Sequence, residues 1–322
     1  MKAIRINQFG GSEVLKYDDV PDLLPGAGEC LIDMQAIGVN YTDVQTRKGS
    51  APSTPLPLIP GREGSGVVAR IGKEVTEVIV GDTVVYCGVT GSYAQQAVVP
   101  SDRLVKVPEG MDARTAAATL LQAMTAHYLV HSTYKLKKGD ICLVHAGAGG
   151  MGSLLIQMAK RVQATVITTV STNPKAKLAK AAGADAVINY SNSDFEAEIL
   201  EVTDGKGVQV VYDAVGKTTF EKSIACLAPL GMMVLYGQAS GPVLPIDPSI
   251  LGNGSLFLTR PTLANYTMTR EDLIWRANEV LEWARTGEIK QHIGLILPLS
   301  SAPEAHRKLE QRETMGKVLL IP

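Results

Sequence analysis

The stretch Asp140-Ile-Cys-Leu-Val-His-Ala-Gly-Ala-Gly-Gly-Met-Gly-Ser-Leu-Leu-Ile-Gln-Met-Ala-Lys160 is an apolar run that meets a glycine cluster and continues with helical spacing. Ile141 to Ala146 is short, apolar and bounded by Lys138-Gly139-Asp140, the pattern of a parallel strand buried on both faces. From Met151 onward, Leu154, Leu155, Met158 and Ala159 recur as on one face of a helix. The stretch therefore reads as strand, tight turn, helix. In the turn, Ala146, Gly149 and Gly152 stand where a dinucleotide fingerprint has its three small residues, with alanine replacing the first glycine. Small residues let the backbone approach a pyrophosphate, whose charge is held at the positive end of the helix.

The chain downstream supports that reading. Ala164 to Val170 is a second β-branched run, placed about 20 residues past the glycines, where a ribose-reading residue belongs. An NAD site would end this strand in Asp or Glu; here Val170 is followed by Ser171 and then Lys175. A hydroxyl and a cation suit a 2′-phosphate, which a carboxylate would repel, so NADPH is expected over NADH. The plainer alternative is that Ser171 caps the helix after Asn173-Pro174 and Lys175 is merely solvated.

Further on, strand and helix alternate regularly: Ala186 to Asn189, a helix around Phe195 to Val202, Val208 to Tyr212, a helix around Phe220 to Leu227, and Met232 to Tyr236. Such alternation implies crossover connections and a doubly wound parallel α/β sheet of Rossmann type. The run Gly254 to Thr259 is a candidate edge strand, and Arg270 to Arg285 a long amphipathic helix. Gly316 to Pro322 reads as a strand with no later partner, so it should return to an earlier sheet. Upstream, residues 1 to 122 are β-rich, with short segments such as Cys30 to Ile37, Gly66 to Ile71 and Thr83 to Tyr86 divided by Pro25-Gly26, Pro60-Gly61 and Gly81-Asp82. A compact barrel-like domain is expected there. Asp112 to Val130 then reads as a helix.

At 322 residues the chain has room for two domains. A net charge of −1 gives no electrostatic reason to expect nucleic acid or an anionic membrane. No apolar run reaches the roughly 18 residues that span a bilayer. The first ten residues alternate like a strand and lack the apolar core of a signal peptide, so the cytoplasm is the expected location. Cys30, Cys87, Cys142 and Cys226 are scattered singly and read as reduced, buried hydrophobes. His127 and His131 share a helical interval, but no glutamate completes an HExxH motif. A surface or internally satisfied pair is expected, and no metal.

In order and spacing, Gly38-Val-Asn-Tyr-Thr-Asp43, Pro60-Gly-Arg-Glu-Gly-Ser-Gly66, Gly91-Ser-Tyr-Ala94, Leu121-Gln-Ala-Met-Thr125, His145 to Gly152, Val187 to Tyr190, Val211 to Gly216 and Thr259-Arg-Pro261 resemble one family. The chain is similar throughout to the zinc-free, ζ-crystallin-like quinone oxidoreductases of the medium-chain dehydrogenase/reductase superfamily. That resemblance implies a GroES-like domain over residues 1–122, completed by 266–322, and an NADPH-binding Rossmann domain over 123–265. Alcohol dehydrogenases of the superfamily place a cysteine zinc ligand at the position of Asn40 and a histidine at that of Arg62; neither residue here suits zinc. Without a Lewis acid, alcohol oxidation loses its main stabilisation, whereas a quinone is already electrophilic.

The resemblance also assigns roles. Asn40, Asp43 and Thr125 are implied as catalytic residues near the nicotinamide, with Asn40 offering an amide donor. The alternative for Asn40 and Asp43 is loop fixation through side-chain to backbone bonds. Asn40 and Thr125 are also implied in cofactor binding. So are Ala148, Gly149, Gly150, Met151 and Gly152 at the pyrophosphate, and Ser171, Lys175, Tyr190 and Arg312 at the 2′-phosphate. Val215, Tyr236, Gly237, Gln238, Ala239, Phe257 and Leu258 are implied around the nicotinamide. Tyr41 and Gln45 are implied on the substrate side, where Gln45 and the small Ser50-Ala51 pair, with the proline-rich Pro52 to Pro57 after it, replace aromatic residues that relatives can carry. Reduced stacking area admits an enone or alkenal as the alternative acceptor. A cofactor-binding protein with little turnover is the reading from another class. A homodimer through the edge strand near 254–259 is implied as well.

Overall fold

The computed structural model describes residues 1–50 and 55–322. Ala51 of the small pair named above, together with Pro52-Ser-Thr54, lies outside the described residues. The chain divides into two compact units, Met1–Gln122 with Thr267–Pro322, and Ala123–Tyr266.

The second unit is built on a six-stranded parallel sheet. Its spatial order is Ala186–Asn189, Thr165–Val170, Ile141–Val144, Val208–Asp213, Leu227–Leu235 and Phe257–Thr259. The first of these in sequence sits in the middle and the order reverses beside it, as in a doubly wound nucleotide-binding sheet. The crossovers carry the helices Gly150–Arg161, Asn173–Ala181, Phe195–Val202 and Phe220–Ala225. The apolar strand residues bury completely: Leu143, Ile167, Val211 and Met233 form one core with Phe195, Ile199 and Phe220. The short strand Phe257–Thr259 ends the sheet, with Phe257 54% exposed.

In the first unit a seven-stranded sheet runs Ile293–Pro298, Lys317–Ile321, Glu29–Val39, Glu63–Ile71, Thr83–Cys87 and Val105–Lys106, with Gln96–Pro100 also paired to Glu29–Val39. The strand expected to return does so. Lys317–Ile321 pairs antiparallel with Glu29–Val39, Val318 opposite Val39, and parallel with Ile293–Pro298. That register sets Lys317 beside the end of the Gly38-Val39-Asn40 segment. Ile4, Ile32, Ile37, Val68, Tyr86, Tyr93 and Leu320 fill the core. The alanine-rich start of the helix Ala113–Tyr128 has a physical reason: Ala117 and Ala118 pack closely on Ala36 and Leu319. This helix ends two residues before the expected Val130 and passes into a π-helical turn, Leu129–Thr133.

Candidate active site

The glycine-rich turn forms an uncapped helix start. Gly149 occupies the N-cap of Gly150–Arg161 and offers no side-chain cap, so the first-turn N–H groups keep their capacity for an anion. Gly152 cannot carry a side chain as the loop stands: a Cβ there would lie 2.3 Å from the Ala146 carbonyl oxygen and 2.8 Å from Gly147 Cα. Ala146 takes a left-handed φ of 59°, a strained conformation for a residue with a Cβ. Beneath the turn, buried His145 is held by Thr169 Oγ1 at 2.8 Å from Nδ1 and Ser223 Oγ at 2.9 Å from Nε2. Burial lowers its pKa, and the nearby Asp213 opposes that shift.

Past Val170, the helix Asn173–Ala181 is capped by Thr172, whose Oγ1 accepts the Lys175 backbone N–H at 3.4 Å. The plainer alternative, a Ser171 cap, is corrected: the turn takes one residue more before the helix begins. Ser171 Oγ instead accepts from Lys175 Nζ at 3.5 Å, and Ser191 Oγ donates to the Ser171 carbonyl at 3.0 Å. With Tyr190 38% exposed and its backbone N–H bonded to the Val170 carbonyl, the end of this strand gathers a cation, hydroxyls and an open ring. No carboxylate stands at the strand's end.

Asp213 organises the next loop, a role the sequence did not reveal. One carboxylate oxygen accepts the N–H groups of Val215 at 2.6 Å and Gly216 at 3.0 Å; the other accepts Thr219 Oγ1 at 2.7 Å. Its backbone carbonyl takes the N–H groups of Tyr236 and Gly237, which ties Val215 to the segment Tyr236-Gly-Gln-Ala239. The Tyr236 hydroxyl oxygen is buried without a hydrogen-bond partner among the described residues, and burial raises its pKa. These features fit a dinucleotide: a turn whose last glycine has no room for a Cβ, an uncapped helix start, a cation in place of an acid, and a buried hydroxyl with bonding capacity left.

In the first unit, Asn40 stands at the centre of a buried polar cluster. Its Nδ2 donates to Glu63 Oε2 at 2.8 Å, and its Oδ1 accepts from Lys317 Nζ at 2.9 Å and from Gln122 Nε2 at 3.4 Å. Lys317 and Glu63 also meet directly at 2.6 Å, both side chains 0% exposed. Glu63 Oε1 accepts the Leu121 backbone N–H, and Gln291 Nε2 donates to Gln122 Oε1. A Cβ at Gly38 would press on the Glu63 carboxylate and displace it from its buried place. Among the described residues no group of three or more His, Cys, Asp and Glu is arranged to hold a metal ion. Arg62 is exposed and donates to the Gly88 carbonyl.

Asp43 lies one turn further on, 1% exposed. Its Oδ2 accepts the Asn40 backbone N–H at 2.9 Å and the Tyr93 hydroxyl at 3.2 Å, so Asp43 fixes this loop as the plainer reading anticipated. Oδ1 is buried without a partner among the described residues. Desolvation pushes the carboxyl up to about 7, against the Asn40 N–H, Lys317 and Tyr93, which favour the anion. Behind Tyr93, His306 Nε2 lies 3.0 Å from its hydroxyl and Arg47 Nη1 3.4 Å from His306 Nδ1. Because arginine only donates, Nδ1 accepts and Nε2 carries the proton, so the chain of donors runs Arg47, His306, Tyr93, Asp43. Burial, and then Arg47, lower His306 to about 3.

Tyr41 and Gln45 are half-buried on the helix Tyr41–Arg47, and Thr125 is half-buried on Ala113–Tyr128. Phe257 and half-buried Leu258 lie on the edge strand. Arg312, exposed with a left-handed φ of 60°, follows the helix Ala302–Glu310 in the first unit. The surface alternative for His127 is corrected: it is 1% exposed, its ring centroid 4.7 Å from that of His131, because this face of the helix turns inward. Burial pushes the Cys142 and Cys226 thiols up to about 12, and all four cysteines are free.

Comparison with known proteins agrees with this architecture. Residues 26–109 match the family model of the alcohol dehydrogenase GroES-like domain, and residues 150–279 that of the zinc-binding dehydrogenases. The quinone oxidoreductase of Pseudomonas aeruginosa is 42% identical over 323 residues, covering 100% of this chain and 99% of the relative. A 2-haloacrylate reductase from Burkholderia is 39% identical, covering 98% of each chain. Among solved structures, Escherichia coli quinone oxidoreductase complexed with NADPH superposes with a TM-score of 0.98 at 38% identity, covering 100% of both chains. A mycobacterial protein complexed with NADPH gives 0.97 at 45% identity, again covering 100% of both.

Proposed function

The chain belongs to the zinc-free quinone oxidoreductases of the medium-chain dehydrogenase/reductase superfamily, and on that premise we propose that it is an NADPH-dependent quinone reductase. The observation that carries the reading is the end of the strand Thr165–Val170: Ser171 and Lys175 meet there, no acid is present, and an uncapped glycine turn lies on the neighbouring strand. Ala148 to Gly152 receive the pyrophosphate, Ser171, Lys175, Tyr190 and Arg312 the 2′-phosphate. Val215, Tyr236 to Ala239, Phe257, Leu258, Asn40 and Thr125 surround the nicotinamide. Bound NADPH supplies a hydride from C4. Tyr41 and Gln45 flank the acceptor, and an Asn40 N–H meets the negative charge that develops on its oxygen. No protein metal is needed, because the quinone is itself electrophilic.

A second acceptor class is favoured by one finding, the likeness to a 2-haloacrylate reductase, whose substrate is an activated alkene. Reduction of an enone or alkenal would use the same hydride. The exposed Phe257 at the sheet edge supports a homodimer in which Phe257–Thr259 pairs with its copy. No helix among the described residues is long and apolar enough to cross a membrane, and on this reading the protein works in the cytoplasm on a small diffusible acceptor.

The test is the initial rate of NADPH oxidation with a small para-quinone and, in parallel, with a simple enone, each repeated with NADH. Quinone turnover with NADPH and little with NADH is expected. Turnover confined to the enone, with cofactor deuterium delivered to carbon, would move the function to alkene reduction. Tight NADPH binding with no turnover would leave a binding protein.

A further inference from the structure

Resting on the quinone-reductase reading, we propose that Lys317 is a positioning residue for the reaction: with Glu63 it locks the Asn40 side-chain amide in one orientation and keeps one Nδ2–H available to the acceptor oxygen.

The argument is one of donors and acceptors. An ammonium only donates and a carboxylate only accepts. Lys317 Nζ faces Asn40 Oδ1 at 2.9 Å, and Glu63 Oε2 faces Asn40 Nδ2 at 2.8 Å. Flipping the amide would set its NH₂ against the ammonium and its carbonyl against the carboxylate, so only one orientation is permitted. Gln122 Nε2 is the second donor to Oδ1, which fills that oxygen's two acceptor sites. One Nδ2–H is spent on Glu63; the other has no partner among the described residues. Asn40 is 6% exposed, a setting in which a fixed dipole acts through a low dielectric.

Stability alone gives little reason for the pair. Two charges withdrawn fully from water lose about as much in desolvation as their attraction returns, and an apolar replacement for such a pair is often neutral. The charges also cancel, so the pair leaves direction rather than net field. In the reaction the hydride brings two electrons and one proton to the quinone, leaving oxidised cofactor and a hydroquinone monoanion that takes its second proton from water. Asn40 Nδ2–H stabilises the oxyanion as it forms, without having to reorient.

The test is a mutant cycle on the full-length protein with NADPH and a para-quinone. Lys317→Met/Glu63→Gln removes both charges together and leaves no lone buried ion. Lys317→Gln/Glu63→Gln is made alongside it, keeping hydrogen bonding while abolishing the donor-only and acceptor-only constraint. In either folded double variant kcat should fall on the order of 10- to 100-fold, with the dissociation constant for NADPH and the urea midpoint little changed. Lys317→Arg, still donor-only, should retain most of the rate. In an Asn40→Ala background the double change should cost nothing further, because the group it positions is gone. An unchanged kcat in a folded double variant, or the same loss with and without Asn40, overturns the inference. Absence of quinone turnover in the parent overturns the quinone reading, and this inference with it.

Discussion

The two units solve the problem of holding polar groups in different ways. In Ala123–Tyr266 the cradle is made of backbone: an uncapped helix start, a glycine that excludes a Cβ, and a loop hung from Asp213. In the other unit the cluster is made of side chains, and Asn40, Glu63, Gln122, Gln291 and Lys317 come from five separate places along the chain. Backbone groups are placed by local conformation, so one short segment suffices. Side-chain groups need the whole sheet in register before any of them meets its partner. The first arrangement should therefore fail locally and in affinity; the second should fail globally and in stability when one partner of its buried ion pair is removed alone.

The largest effect is expected from Glu63→Ala, which strands the Lys317 ammonium in the interior. A loss of about 3–5 kcal/mol in urea unfolding is expected. A loss below about 1 kcal/mol would erase the contrast between the units. Gly152→Ala should do the reverse. The new Cβ displaces the turn at Ala146, so calorimetric titration should show NADPH binding weakened on the order of 100-fold, with much of the fold's stability kept.

Next in size is the pH response of Asp43. The folded carboxyl holds its proton up to about 7, well above the value near 3.9 of an unfolded chain. Its contribution to stability is therefore complete below about pH 4 and lost as pH rises through about 7. Buried His145 and His306 are lowered instead and pull the other way, so the informative quantity is a difference between proteins. Relative to the parent, Asp43→Asn should gain on the order of 2 kcal/mol between pH 5 and pH 8, measured by urea unfolding. A difference that does not change with pH would show that the carboxyl stays ionised in the fold.

Two smaller changes sharpen the backbone side. Lys175→Ala removes one charge-assisted contact, and KM for NADPH should rise about tenfold while KM for NADH stays in place. An equal rise for both cofactors would detach Lys175 from the 2′-phosphate. Ala146→Gly relieves a left-handed alanine, and thermal unfolding should show a gain of about 0.5–1 kcal/mol.

The same contrast explains what could be read from the chain alone. The parallel sheet was legible because each buried strand is a continuous apolar run followed by a helical pattern, as in Ile141 to Lys160. The strand Lys317–Ile321 was legible as an apolar run, and its register against Glu29–Val39 is what the fold adds. Which hydroxyl caps the next helix is not legible, because Ser171 and Thr172 are chemically equivalent as caps and only the path of the turn chooses between them. The Asn40 amide was anticipated, yet neither Lys317 nor Glu63 was assigned to it. Lys317 gave one local signal, a lone charge opening an apolar strand, but its partner lies 254 residues away and no periodicity spans that distance. Asp213 was hidden for a similar reason, since a carboxylate at a strand end looks like any turn residue until the N–H groups around it are seen.

The split of the first unit around the second has a consequence for how the protein is made. A ribosome delivers Glu63 long before Lys317, and all of Ala123–Tyr266 emerges in the interval. Chains elongate at about 5–20 residues per second, slowly enough for a finished domain to close behind the exit tunnel. The nucleotide-binding unit can thus mature on the nascent chain while its neighbour waits with two sheet strands missing and a carboxylate lacking its countercharge. Ligand added during translation should engage a protein that does not yet possess its polar cluster.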